Sequence, residues 1–338
     1  MNFLRKNLAA VLFAAGFLLT AEKQKKLSLS LEPYAGFTSG ILEETIYRSL
    51  PKEKKISLLE WERKIFVYGA NLDFKCSSLN LNLNLETAPQ NSKSGQMRDS
   101  DWLNPDDYSM KTTYSAGTNY AMDYRSAEVS LFYDFFSGTG FTLSPVVTAR
   151  YDYDSFYRKK GAEGWYSQDC RHWWHDSSSK HYPWYNPETG KTQMLAEIDY
   201  LRHSFYSWAG LKLTFTPSEN LEFLFCAMIS PVTYLYSVDT HFAQDSSTKL
   251  MYKKHYRQRQ LSYFSNARLE VEAQLRLCKS FFLTAGFETA FNFKTDRGDL
   301  YSDYFQDVYQ GEYIDCGQDS SSSLKNIKAK IGLKIRLL

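Results

Sequence analysis

Two short stretches of the chain combine side chains that can transfer protons. Asp239 and His241 are separated by one residue, and so are Asp99 and Asp101 earlier in the chain. Residues two apart in an extended strand point to the same side, with about 7 Å between their Cα atoms. A carboxylate beside an imidazole orients the ring and stabilises its protonated form, which suits a general base. Taken alone, each pair also fits an ordinary solvated loop.

If the fold brings the two pairs together, three carboxylates and one imidazole share one place. Such a concentration of titratable groups is typical of a catalytic site. No serine or cysteine stands where it would be an obvious nucleophile, so the chemistry predicted is hydrolysis by an activated water. The rest of the chain must then supply elements that position these four side chains.

The start of the chain is typical of a secretory signal peptide. A basic pair, Arg5-Lys6, precedes an apolar run that ends before Thr20-Ala21. We predict a signal peptide over residues 1–21 and a single domain over residues 22–338. The apolar run is shorter than the about 20 residues that a membrane-spanning helix needs. No later stretch is apolar enough to span a membrane as a helix.

Charge and composition exclude some classes of protein and favour another. The chain carries 40 basic and 38 acidic residues, and this balance gives no argument for a nucleic-acid partner. Its five cysteines form neither a disulfide framework nor a zinc spacing. Aromatic residues make up 16% of the chain, with 25 Tyr and 23 Phe. That abundance suits the aromatic girdles of a membrane barrel.

Apolar and polar residues alternate with a period of two along most of the predicted domain, which indicates β-strands with one apolar face. The clearest runs cover residues 27–31, 79–85, 127–135, 269–277, 281–293 and 327–337.

Short and long connections alternate between these strands. Tight turns are predicted near residues 76–78, 137–140, 217–220 and 278–280, and long polar loops near residues 40–55, 92–121, 157–192, 238–256 and 295–323. Outer-membrane barrels have short periplasmic turns and long extracellular loops. We therefore predict an all-β fold, a ten-stranded antiparallel transmembrane β-barrel whose last strand pairs with the first. Both acidic pairs then fall in outward loops.

Several patches, in the same order and register, resemble the omptin family of outer-membrane endopeptidases, which are built on a ten-stranded barrel. The patches are Ser39-Gly40 followed by Glu44 and Tyr47, Ser57-Leu58-Leu59-Glu60-Trp61 with Glu60 where an Asp is usual, Asp99-Ser100-Asp101-Trp102, and Asp239-Thr240-His241.

The resemblance implies catalytic roles for the two pairs. His241 is the implied general base that deprotonates water, and Asp239 orients and stabilises it. Asp99 holds the water from the opposite side, and Asp101 assists by stabilising the oxyanion or the charge of the site. The resemblance implies neither a metal nor another cofactor, and no acyl-enzyme.

The resemblance also implies cleavage between basic residues, with Glu44 as a substrate-binding acid. The family carries a second acid just before the dyad, where this chain has Ser237. A buried basic side chain needs paired charge, so we predict a weaker or shifted preference at the residue before the cut. Glu44 also fits a solvated acid at a strand end.

Two further groups of residues bear on ligand binding. The family's basic cluster for lipopolysaccharide phosphates is not reproduced at the corresponding positions, which are Tyr151, Tyr153, Ser155 and His203. The predicted third loop could ligate zinc, but no Cys-x-x-Cys partner supports it, so an aromatic-rich loop without metal is expected. The candidate ligands are Cys170, His172, His175 and His181.

Together these patterns predict a monomer in the cell outer membrane, surrounded by lipid, with its active site facing the extracellular side. A protein or peptide at the cell surface is the expected substrate, and no nucleic-acid partner is expected. The alternative is a barrel without catalytic activity that acts as an adhesin or narrow pore.

Overall fold

The computed structural model describes most of the predicted domain. The described residues are 27–48, 54–103, 107, 109, 111–159, 163–166, 173–175, 184–186, 191–193, 196–244, 251–293, 296–302 and 314–338. The predicted signal peptide over residues 1–21 lies outside them, so it stays a prediction.

Every regular element among the described residues is a β-strand. No helix in these ranges is long and apolar enough to cross a bilayer. The strands are β1 (Leu27–Arg48), β2 (Lys54–Glu62), β3 (Ile65–Cys76), β4 (Leu79–Thr87), β5 (Ser92–Asp101), β6 (Thr113–Tyr133), β7 (Phe136–Gly138), β8 (Phe141–Lys159), β9 (Glu163–Tyr166), β10 (Trp173–His175), β11 (Trp184–Asn186), β12 (Lys191–Gln193), β13 (Ala196–Ser218), β14 (Leu221–Gln244), β15 (Met251–Ser262), β16 (Asn266–Arg276), β17 (Phe281–Asn292), β18 (Gly298–Ser302) and β19 (Ile314–Arg336).

These strands form an antiparallel ring with about 10 positions. Strands β1, β6, β8, β13, β14 and β19 each fill one position. Each of the other positions holds two segments in succession, a lower one (β3, β4, β16 or β17) and an upper one (β2, β5, β15 or β18). The ring closes where β1 pairs with β19, for example at Phe37 and Ala329. The predicted ten-stranded barrel is therefore confirmed, and its tight turns mark the end that we call the lower rim.

The two faces of the strands explain the alternating sequence. Outward side chains form a wide apolar band around the ring, including Phe37, Phe66, Leu85, Val147, Leu211, Phe225, Leu269, Phe287 and Ile331, all more than a third exposed. An outward apolar band with a polar interior is typical of barrels in the outer membrane. Above this band, toward the upper rim, the outer face of β2 and β5 is charged. There Arg98 contacts Glu60 and Glu62, at 3.3 and 3.0 Å.

The interior has two layers. In the lower half, buried ion pairs cross the ring, such as Arg150 with Glu288 at 3.1 Å and Lys328 with Glu86 at 3.2 Å. Above them lies an apolar cluster in which the Trp61 ring stacks on Tyr200, with 5.4 Å between ring centroids. The apolar cluster thus closes the lumen beneath the upper rim.

The upper strands extend further than the sequence predicts. The predicted loops over residues 92–121 and 238–256 are wrong in extent, because β5, β6, β14 and β15 occupy most of these ranges. Above the apolar band, a strand meets water or a polar interior on both faces, so its sequence no longer alternates. The two acidic pairs consequently lie on strands rather than on loops.

Candidate active site

A β-bulge sets the direction of the acids on β5. The register shifts between Lys93 and Gly95, where Gly95 has φ +125°. Positive φ is accessible mainly to glycine, and a Cβ at this position would lie 2.4 Å from the Glu62 carboxylate. A bulge inserts one extra residue and reverses the alternation beyond it. As a result, Met97 points into the apolar cluster, and Asp99 two residues later faces the same way.

A second bulge does the same on β14. Lower on this strand, Cys226 and Met228 line the lumen. The register against β13 then shifts near Pro231, a residue that strands tolerate at bulges. Beyond the shift the opposite set of positions is buried, so that Asp239 is only 2% exposed. Without the extra residue that the bulge adds to β14, Asp239 would point away from the lumen.

The first pair on β14 is in direct contact. His241 Nε2 lies 2.5 Å from Asp239 Oδ2, and the His241 side chain is 29% exposed. The Tyr256 ring meets the imidazole edge-on, with 5.4 Å between centroids. Burial alone would lower the pKa of His241, but the charge and hydrogen bond of Asp239 outweigh it and raise the pKa above its ordinary value. The bond from Nε2 leaves Nδ1 as the proton acceptor.

The second pair lies on the inward face of β5. Burial raises the pKa of Asp99 above its ordinary value, although the charges of His241 and Arg158 act against it. For Asp101, burial and the charge of Asp99 together raise the pKa to about 7, against a hydrogen bond from Ser57. A carboxyl group with that pKa carries a proton in roughly half of the molecules at neutral pH.

The two pairs face each other across the mouth of the barrel. Strands β5 and β14 are not neighbours, since β6, β8 and β13 stand between them on one side of the ring. The charges nevertheless interact across the lumen. Asp99 raises the pKa of His241, and His241 lowers the pKa of both Asp99 and Asp101. The structure therefore brings together all four predicted side chains.

Glu44 lies beside this group on β1. Its residue is 1% exposed, and neither carboxylate oxygen has a hydrogen-bond partner among the described residues. Burial and the charge of Asp239 raise the pKa of Glu44 well above its ordinary value, and the charge of Arg202 lowers it in part. Glu44 is thus not a solvated acid at a strand end, and its position suits contact with a bound substrate.

Three residues near the site were missed from the sequence. Arg202 and Tyr200 lie on β13 opposite Ser237 and Asp239. Arg158 on β8 donates a hydrogen bond to Ser115 Oγ at 2.6 Å and acts on Asp99. The sequence contains a signal for two of them, because Tyr200 and Arg202 occupy alternate positions of one strand and therefore share a face. Only the ring, however, identifies which face of that strand meets Asp239.

The four positions at which the sequence lacks a basic cluster carry a mainly aromatic group. On the outer face, Tyr151 and His203 are joined by a 2.8 Å hydrogen bond, and Tyr153 packs against the same imidazole. Ser155 is buried at 8% exposure. Arg125, across from Tyr153, is paired with Asp123 at 2.6 Å.

The zinc alternative cannot be located in the structure. Cys170, His172 and His181 lie outside the described residues, as does the side chain of His175. Elsewhere, the described part of the chain contains no group of His, Cys, Asp and Glu that could hold a metal ion.

Comparison with known proteins identifies the family. A sequence model of the omptin family matches residues 24–337. The chain belongs to the omptin family. The crystal structure of the outer membrane protease OmpT from Escherichia coli has a TM-score of 0.74 to this omptin, at 14% identity, covering 94% of this chain and 100% of that chain.

A second solved structure is less similar to this omptin. The translocator domain of the autotransporter NalP from Neisseria meningitidis has a TM-score of 0.34 and 9% identity, covering 98% of this chain and 96% of that chain. No curated protein matches the chain. At 14% identity the likeness to OmpT shows the shared fold.

Proposed function

We propose that this omptin is an outer-membrane endopeptidase that hydrolyses peptide bonds with an activated water. Family membership and the fold shared with the protease OmpT support an outer-membrane protease. The observation that carries the finer assignment is the meeting of two acidic pairs across the barrel mouth. The Asp239–His241 contact on β14 faces Asp99 and Asp101 on β5, and their charges interact.

In the proposed reaction, His241 Nδ1 takes a proton from a water held between the imidazole and Asp99. The water oxygen forms a bond to the carbonyl carbon of the substrate, and the carbonyl oxygen becomes an oxyanion. When the C–N bond breaks, the imidazolium returns its proton to the leaving amine. Asp239 keeps the ring oriented and stabilises its charge throughout, as a buried carboxylate does for a catalytic imidazole.

Asp101 is assigned the supporting role. Its pKa of about 7 means that it carries a proton in many molecules at neutral pH. A protonated carboxyl group can donate a hydrogen bond to an oxyanion, which an ionised one cannot. Glu44, which is buried and whose pKa is raised by the charge of Asp239, is assigned to substrate binding. The proposed chemistry draws only on these side chains and water.

The proposed setting follows from the architecture. The site lies above the apolar band, because the outer face of β5 beside Asp99 carries Arg98 and its ion pairs rather than apolar side chains. We assign this rim to the extracellular side, where a protein or peptide at the cell surface can reach it. The mature chain, residues 22–338, acts as a monomer in outer-membrane lipid.

The test compares catalytic and control variants of the refolded protein on a mixed peptide pool. Asp99→Ala and His241→Ala are each expected to lower kcat/KM by about 10²- to 10⁴-fold, the usual contribution of a general base. Cleavage products are quantified by mass spectrometry, with and without a chelator. Folding is checked by the change in electrophoretic mobility that barrels show on heating.

Matched controls separate catalysis from mere loss of charge. His255→Ala removes another imidazole, from the position on β15 opposite Thr240. Asp123→Asn removes a carboxylate from the exposed pair with Arg125. Both controls are expected to keep full activity. Full activity in folded Asp99→Ala or His241→Ala would refute the proposed mechanism.

The pore alternative finds no support in the lumen. Buried ion pairs cross the lower half, and the apolar cluster around Trp61 fills the level below the site.

A further inference from the structure

Arg158 lies on the inner wall between the two acidic pairs. It belongs to β8, the middle strand of the five that lead from β14 to β5, and Ile198 on β13 is its direct cross-strand neighbour. Ile198 is in turn the direct neighbour of His241 on β14. Direct neighbours in a sheet share a face. Because adjacent strands are about 4.8 Å apart, the backbones of Arg158 and His241 are about 10 Å apart at one level of the wall.

The guanidinium of Arg158 extends from this point toward Asp99. Its Nη1 donates a hydrogen bond to Ser115 Oγ at 2.6 Å and lies 3.5 Å from Met97 Sδ. Ser115 on β6 is the direct cross-strand neighbour of Asp99. Met97 precedes Asp99 by two residues on the same inward face of β5. Contacts with two strands therefore hold the cation beside Asp99, on the side toward His241.

The proposed reaction needs both groups without their protons. A neutral imidazole takes a proton from water, and an ionised Asp99 accepts the other hydrogen of that water. Burial raises the pKa of Asp99, and the charges of His241 and Arg158 oppose the rise. Burial lowers the pKa of His241, Asp239 and Asp99 raise it, and the charge of Arg158 acts on the side of burial. A fixed cation between the two groups thus favours the reactive form of each.

Other charged and titratable groups surround this point, and a substitution of Arg158 leaves them in place. Asp154, lower on β8, is held by Arg63 at 2.9 Å. Strand β6 faces the site with Ser115 and Asn119, which do not titrate. Further such groups on the inner wall are Asp101 on β5, Tyr200 and Arg202 on β13, Asp239 on β14, Tyr256 on β15 and Glu44 on β1. A change in the pH profile of an Arg158 variant therefore reports the charge of Arg158.

We propose that Arg158 is a positioning residue, a fixed cation that acts through Asp99 and His241 and keeps both groups free of protons. This inference rests on the proposed peptidase function. The two carboxylates around the imidazole draw a proton onto it, and Arg158 opposes them from the wall between the pairs. Without this cation, the imidazole would keep its proton to higher pH, and fewer molecules would contain an active base.

The test is the pH dependence of kcat/KM in two variants of Arg158. Arg158→Gln keeps a donor for Ser115 and removes the charge. We expect the midpoint of the rise in kcat/KM to move to higher pH by about one unit, the lower end of the effect of a nearby charge. The loss is then about tenfold at pH values below the midpoint and shrinks as the pH increases. Arg158→Lys keeps a positive charge and should have a midpoint near that of the wild-type protein.

The control is Arg125→Met, which removes a guanidinium from the exposed pair with Asp123 and should keep the wild-type midpoint. Because loss of a buried charge can impair folding, Ser115→Ala decides if Arg158→Gln does not reach the heat-modifiable folded form. It removes the acceptor that holds the guanidinium beside Asp99 and should move the midpoint in the same direction.

An unchanged midpoint in the folded variant, or an equal fractional loss at every pH, would overturn the inference and leave the peptidase assignment intact. So would a midpoint displaced as far in Arg158→Lys as in Arg158→Gln. Cleavage of no peptide by the wild-type protein would overturn both.

Discussion

His241 stands between two carboxylates that act on it in the same direction. Asp239 and Asp99 both favour the imidazolium, and together they exceed the effect of burial, which favours the neutral ring. A raised pKa means that the neutral, basic form becomes abundant only at higher pH. Catalysis by this base should therefore increase as the solution becomes more alkaline.

A pH profile tests this relation. For the wild-type protein, we expect kcat/KM to rise with pH through a midpoint above about 6.5, the ordinary pKa of histidine, as His241 becomes neutral. At higher pH kcat/KM should fall in part, because Asp101, with its pKa of about 7, loses the proton that it donates to the oxyanion. Asp101→Asn should move this midpoint to lower pH. His241 lowers the pKa of Asp101, and by reciprocity the Asp101 carboxylate raises the pKa of His241.

The measurement is kcat/KM on one peptide between about pH 5 and about pH 9, where both groups titrate. Asp123→Asn, which also removes one carboxylate, serves as the control and should leave the midpoint in place. A midpoint that stays the same in Asp101→Asn would mean that the two groups do not interact as described.

At the scale of the strands, two bulges decide where the catalytic side chains point. The shift at Gly95 turns Asp99 into the lumen, and the shift near Pro231 does the same for Asp239 and His241. Each bulge lies between the membrane-embedded part of the wall and the upper strand that carries the site. Inward side chains can therefore occupy odd positions on one side of a bulge and even positions on the other.

Gly95→Ala tests the bulge on β5. A Cβ here would lie 2.4 Å from Glu62 Oε2, at a φ of +125° that side chains disfavour. We expect the bulge to rearrange, Asp99 to move, and kcat/KM to fall by about 10- to 100-fold. Heat modifiability checks that the barrel still forms.

The matched control is Gly140→Ala, at φ +79° in a turn at the lower rim. It is expected to cost about 1–2 kcal/mol of stability, the usual penalty for a side chain in the left-handed region, without changing kcat/KM. Equal losses of activity in both variants would argue that general destabilisation, not the bulge, explains the effect.

At the scale of the whole molecule, the ring is closed and its lumen is occupied. Lys328 reaches Glu86 and Glu288, at 3.2 and 3.0 Å, and Arg268 reaches Glu128 and Glu288. Arg268–Glu128 and Lys328–Glu86 join strands that are not neighbours in the ring, and Glu288 ties both cations to the strand between them. The ion pairs stabilise the arrangement of the strands. The upper rim remains as the surface where a large substrate can bind.

Electrical recording tests whether the lumen is closed. We expect the protein, reconstituted in planar bilayers, to show no stable conductance steps, because the apolar cluster around Trp61 blocks the lumen. A water-filled porin recorded in the same bilayers is the control. Regular channel openings would contradict this arrangement and favour the narrow-pore alternative.

The sequence by itself determined the ring and the residue types of the site. Alternation in runs such as 79–85 and 269–277 shows one apolar face wherever a strand borders lipid, because the bilayer tolerates little else. The spacing of Asp239 and His241 makes them neighbours in any strand, since the period of two is local.

Only the tertiary structure decided which faces meet. If the alternation of the lower part of β14 continued without the bulge, Asp239 would point outward. The local sequence also does not show that the charges of Asp99 and His241 interact across the lumen. Arg202 escaped notice for the same reason. Its charge lowers the pKa of Glu44 from a strand far away in sequence, and interactions of that kind depend on the whole ring rather than on nearby residues.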